Sequence, residues 1–176
     1  MKKLTYKAAG VDIARGDAFE EEIKRLNRGR RDPAVVAGVG GFAAMYRVPQ
    51  KGGRPLLVAS GTDGVGTKLK IAFRTGRHNT VGIDCVAMCA NDVAVHGARP
   101  AFFLDYLGTG KLSIPVGKQI VKGIIEGCRR AECTLIGGET AELPGLYRPG
   151  EYDLAGFCVG FLEDRERLPS PDIRPG

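Results

Sequence analysis

The chain has 176 residues, 43% of them hydrophobic and 26% charged, with a formal charge of +6 and a pI near 9.2. Those values exclude a disordered chain and describe an ordinary folded domain long enough to bury one sizeable core. No apolar run reaches the roughly 18 residues of a membrane span and no apolar signal region follows the MKKL start, so a cytoplasmic protein with no membrane partner is expected.

In chain order, Asp12 can cap a helix running to about Asn27, with Phe19, Ile23 and Leu26 on one face. The RLNRGRR cluster (25–31) is the one concentration of base and reads as a solvated helix end, so no nucleic-acid partner is expected. RDPAVV (31–36) breaks the helix, and AGVGGFAAMYRVP (37–49) is a glycine-rich approach to an extended segment. RPLLVAS (54–60) is a buried-strand pattern, and LKIAFRTG (69–76) a short helix stopped by Gly76. NTVGIDCVAMCANDVAVHGA (79–98) is the clearest helix: Ile83, Val86, Ala87, Ala90, Val93 and Ala94 share a face, and Gly97 closes it.

PAFFLDYL (100–107) reads as a strand, and SIPVGKQIVKGIIEGCRRA (113–131) as a second firm helix with Ser113 near the cap and Pro115 in its first turn. CTLIGGE (133–139) and YDLAGFCVGFLE (152–163) complete the strands. The fold class is α/β (α+β): a mixed, largely antiparallel four-stranded sheet with helices packed on one face. Residues 1–165 form one domain, and 166–176, rich in Pro and polar groups, read as an interdomain linker. The five cysteines are an odd number; Cys85 and Cys89, one turn apart on an apolar helix with no His nearby, read as buried thiols rather than metal ligands.

The segment SGTDGVGTKLK (60–70) has glycines, Gly61 and Gly66, at the separation of a P-loop, but Thr67 and Lys68 follow in reversed order. Asp63 inside the loop would repel a bare phosphate. Hard cations take oxygen ligands and share them with phosphates, so Asp63, Asp92 and Glu139 could hold Mg²⁺, with the ion holding the phosphates. Gly64 and Gly66 would let the backbone approach, and Lys68 would add a positive charge. The plainer alternatives are a TDG turn at Asp63, a satisfied polar pair at Asn91 and Asp92, and solvent-facing side chains at Glu139 and Glu142. GTGK (108–111) lacks the first glycine of a Walker motif, and no Ser-His-Asp or Cys-His arrangement can be placed.

Seven segments in order, TYKAAGVDI, GVGGFAAM, SGTDGVGTKLKIA, HNTVGIDCVAMCANDV, FFLDYLGTGKL, GGETAELPGLY and YDLAGFCVG, resemble the N-terminal half of the phosphoribosylformylglycinamidine cyclo-ligase family. The resemblance covers residues 5–160 and implies ATP- and Mg²⁺-dependent closure of the imidazole ring of formylglycinamidine ribonucleotide in purine biosynthesis. It implies a homodimer whose sheets pair across the interface, with nucleotide near that interface. Carried over to this sequence, Asp63, Asp92 and Glu139 fall at metal positions. Gly64, Val65, Gly66, Thr67 and Lys68 form the phosphate-side loop, Asn91 lies beside it, and Gly40 and Gly41 belong to a segment over the nucleotide. Lys68 takes the catalytic role.

Ala43, His96, Arg99, Gly108 and Leu143 depart from the family's usual residues, and nothing matches the second domain that family enzymes carry. The fragment is therefore expected not to turn over alone. The rival reading is a dimeric module that binds nucleotide or a partner without catalysis; an RNA-binding sheet lacks its paired aromatics.

Overall fold

The computed structural model describes residues 5–29, 32–49 and 54–168. Four helices, α1 (Ile13–Asn27), α2 (Leu69–Thr75), α3 (Val81–Ala94) and α4 (Ile114–Arg130), accompany six strands. The strands are β1 (Val35–Ala37), β2 (Ala44–Val48), β3 (Leu56–Gly64), β4 (Arg99–Thr109), β5 (Thr134–Glu142) and β6 (Tyr152–Glu163). They make one sheet in the order β1-β2-β3-β6-β4-β5, antiparallel throughout except for the parallel β4–β5 pair.

The mixed, mostly antiparallel sheet agrees with expectation, but it has six strands rather than four. The segment before Val48 supplies the difference. Its glycines obscure the alternation of β2, and β1 is too short to give a period. Of the expected linker, residues 169–176 lie outside the described residues, as do Arg30 and Arg31 of the basic cluster.

Strand alternation decides which side chains meet the helices. On β6, Leu154, Cys158 and Leu162 are buried, and on β4 Phe103 and Leu107 are buried; these residues face α3 and α4. Val86, Cys89 and Val93 of α3 and Ile120 and Ile124 of α4 complete the core. All five cysteines are buried free thiols; burial raises each pKa, Cys158 to about 12, so they behave as small apolar groups.

The opposite face carries Tyr46, Val58, Phe102, Phe157 and Phe161, and among the described residues no helix packs on it. Tyr46 and Phe157 are exposed there. Helix α1 starts as expected, with Asp12 accepting from the Arg15 N–H at 3.4 Å, but it buries none of its residues. The stripe expected at Phe19, Ile23 and Leu26 leaves Phe19 and Leu26 exposed, because no described element of this chain covers it.

His78 is buried where the chain enters α3; its Nδ1 lies 2.9 Å from the Tyr152 hydroxyl and its backbone N–H donates to Gln119 Oε1. Burial lowers the imidazole pKa below its ordinary value and pushes Tyr152 up to about 12. A lowered folded-state pKa means that the unfolded chain takes up the proton first as pH falls. Stability from this group is therefore full at pH 8 and is lost as pH drops below about 6.5. Melting temperatures between pH 8 and 5.5 should fall more steeply for the unsubstituted chain than for His78→Asn; parallel curves would refute this.

Candidate functional site

Alternation along β3 buries Leu57 and Ala59 and brings Gly61 to the helix face. Gly61 is where three segments converge: a Cβ there would stand 3.2 Å from the Asp92 Cβ of α3 and 3.7 Å from the Phe42 carbonyl oxygen. Two residues on, Asp63 falls on that same face. Its Oδ1 accepts from the Gly64 N–H at 2.7 Å, and its own carbonyl lies 3.9 Å from the Cys89 thiol. TDG does not form the turn expected of it but ends strand β3, paired with Phe157, Gly156 and Ala155; the local bond leaves the second carboxylate oxygen free for another partner.

Beyond it, Gly64, Gly66, Thr67 and Lys68 are exposed. Gly66 opens a 3-10 turn with φ of +68°, a left-handed value that a side chain would strain. Val65 departs from its expected place in the phosphate loop: its side chain is in the core and its N–H donates to the Leu154 carbonyl at 2.9 Å. It anchors the loop and has no free donor. Lys68 Nζ lies 3.3 Å from Asp84 Oδ2 of α3, with both side chains partly exposed, so the ammonium is oriented by a weak pair rather than buried.

Asp92 lies on α3 and Asn91 is exposed beside it. Burial raises the Asp92 pKa first and the Asp63 charge raises it further, while His96 one turn on lowers it. An aspartate whose ionisation is made costlier by burial and by a neighbouring carboxylate is what a divalent cation would relieve, so this pair fits Mg²⁺.

Glu139 does not join them. It pairs with Tyr106 and so points to the open face, and Gly138 beside it is three strands from Asp63 through Gly156 and Asp105. At the usual strand spacing that is roughly 14 Å. Among the described residues no three His, Cys, Asp or Glu side chains stand close enough to share an ion. The sequence order conceals this, since one register step in β5 decides which face Glu139 takes.

Asp105 was not among the expected site residues. It occupies the same sheet row as Asp63, with Gly156 between them and Gly138 beyond, and burial raises its pKa. A carboxylate within the otherwise apolar PAFFLDYL was the available signal.

Over the tip of β3 runs the glycine-rich segment. Gly40 has φ of +106°, and a Cβ there would meet Glu20 Oε1 at 2.6 Å and Lys24 Nζ at 3.1 Å, which are themselves paired at 2.7 Å. Gly38, Val39, Gly41, Phe42, Tyr46, Val58, Ser60 and Thr62 line a groove of about 500 Å³ on the open sheet face, which reaches the β3 backbone at Gly61. Ligand pockets for small molecules fall in that size range.

The architecture is that of T. maritima PurL complexed with ADP, with a TM-score of 0.58 and 21% identity over 81% of this chain and 22% of that one. It is also that of thiamine monophosphate kinase from Aquifex aeolicus, with a TM-score of 0.54 and 17% identity over 84% of this chain and 43% of that one. At those identities the likeness is one of fold, and the class is the α/β domain that both contain.

A family model described as AIR synthase related protein, N-terminal domain, matches residues 32–162, and the chain belongs to that family. Over 98% of its length it is 61% identical to a phosphoribosylformylglycinamidine cyclo-ligase from Sorangium cellulosum and 59% identical to one from Anaeromyxobacter sp. strain Fw109-5. It spans about half the length of these curated relatives, 49% of the first and 50% of the second.

Proposed function

We propose that this domain is the ATP- and Mg²⁺-binding half of a cyclo-ligase that closes the imidazole ring of formylglycinamidine ribonucleotide to give aminoimidazole ribonucleotide. The observation that carries the reading is the meeting of Asp63, Asp92 and the glycine-rich segment at the tip of β3. Base and ribose would enter the groove beneath residues 38–42 on the open sheet face, and the phosphates would pass the end of β3 to reach the two aspartates on the helix face. Mg²⁺, when bound, would neutralise phosphate charge there.

Gly64, Gly66 and Thr67 would face the phosphates, and Lys68, steered by Asp84, would stabilise the charge of phosphoryl transfer to the substrate amide oxygen. That transfer turns a poor leaving oxygen into phosphate, which departs when an amidine nitrogen attacks the same carbon. Asn91 would reach the nucleotide from α3.

The uncovered apolar sheet face suits a second copy in a cytoplasmic homodimer, and that copy would be the source of any Glu139 carboxylate at the ion. The domain alone is expected not to complete a turnover. Calorimetric titration of ATP with Mg²⁺ and again with EDTA tests the reading. Binding that requires Mg²⁺ is the expected result; equal heats in both solutions would refute an ion-held phosphate site.

A further inference from the structure

The glycine-rich segment 38–42 has few internal constraints, yet its last residue abuts β3 at Gly61. What fixes it there is a long-range contact: the Ala43 N–H donates to His96 Nε2 at 3.3 Å, across 53 residues of sequence. Ala43 is buried and His96 half-buried, so water competes poorly for this amide.

His96 lies one helical turn beyond Asp92, and its own carbonyl accepts from the Leu168 N–H at 3.2 Å. The imidazole therefore sits between the candidate ion site, the root of the segment and the chain's exit from β6. Midway along the segment Gly40 rests on the Glu20–Lys24 pair, which is exposed and exchanges with water readily. Of the two anchors, the one at His96 is the more sheltered.

We propose that His96 is a positioning residue for nucleotide binding: by accepting the Ala43 N–H it holds residues 38–42 across the tip of β3 and over the groove. It need not touch the nucleotide. Without it, Ala43 must find another acceptor and the segment would leave β3 at Gly61, widening the groove that residues 38–42 cover. This inference rests on the nucleotide reading above, but the tether is measurable without nucleotide.

The test compares His96→Leu with His96→Gln, because a glutamine Oε1 can accept the same N–H and a leucine cannot. Two readouts are needed in the same chain: hydrogen exchange at the Ala43 amide, and the Kd for ATP with Mg²⁺. The expected result is exchange faster by roughly five- to ten-fold in His96→Leu, the effect of losing one net hydrogen bond, with a Kd raised by a similar factor. His96→Gln should restore both.

Unchanged Ala43 exchange in His96→Leu would overturn the tether. Faster exchange with an unchanged Kd would overturn its part in binding. A purely structural role would lower the melting temperature of both variants without separating them, and that outcome also refutes the proposal. If the unsubstituted chain binds no ATP, the nucleotide reading fails and the binding half of this inference with it, whereas Ala43 exchange still decides the tether.

Discussion

Asp63→Asn is expected to abolish Mg²⁺-dependent ATP binding while leaving the fold intact. The two halves of that expectation have separate causes. Asp63 is exposed, and its one side-chain hydrogen bond is the 2.7 Å contact from the Gly64 N–H to Oδ1, which an asparagine carbonyl can keep. Stability should therefore change by less than about 0.5 kcal/mol, as for other surface substitutions.

The charge is another matter. With Asp63 neutral, Asp92 is left as the only carboxylate of the pair, and a hard divalent ion held by one carboxylate and phosphate oxygens binds far less firmly. Losing an outer ligand of a metal site already costs roughly 10–100-fold, so removing a direct one should weaken ATP binding by about 100-fold or more. Calorimetry in Mg²⁺ reads this directly. A Kd within a few-fold of the unsubstituted value would leave Asp63 as a strand-end residue with no part in binding. There is also a test by sign: without Mg²⁺, removing a negative charge beside the phosphates should not weaken ATP binding.

Much of this site was legible in the sequence because its parts are local. Asp63 near the end of β3, the left-handed Gly66 and the reversed Thr67-Lys68 order follow one another within a few residues, and short-range chemistry specifies them. The helices α3 and α4 were equally plain, since burying one face imposes a 3.6-residue period on fourteen and seventeen residues respectively.

What sequence could not supply was long-range. Glu139 was grouped with Asp63 and Asp92 by residue type, but its face depends on the β4–β5 register, where a shift falls between Phe103 and Leu104. The partner of His96 is 53 residues away, and no local pattern announces it. Phe19 and Leu26 of α1 obeyed helical spacing without being buried in this chain, because periodicity shows that a face is apolar and not what covers it.

Two glycines of α4 should respond to alanine in opposite directions. In a helix interior, replacing Gly by Ala ordinarily stabilises by about 0.5–1 kcal/mol, because the unfolded chain loses freedom and the helix does not. At Gly117 little opposes that gain: a Cβ there would meet only Leu112 Cδ1, at 4.0 Å. Gly117→Ala should therefore raise stability.

At Gly123 the added carbon would stand 2.6 Å from the Asn79 carbonyl oxygen and 3.1 Å from the Gly82 Cα. These are backbone atoms at the start of α3, so no side chain can rotate aside. The helices would have to separate along the contact that seals the core over Val86 and Ile124. Overpacking of this kind costs up to about 3 kcal/mol. The clash exceeds the propensity gain, and Gly123→Ala should lose about 2 kcal/mol net, lowering the melting temperature by roughly 4–8 °C for a chain of this size. Urea unfolding of the two variants side by side checks the opposition. If Gly123→Ala proved neutral, α3 and α4 would not be in backbone contact at that crossing, and α3 would be free to carry Asp84, Asp92 and His96 away from the tip of β3.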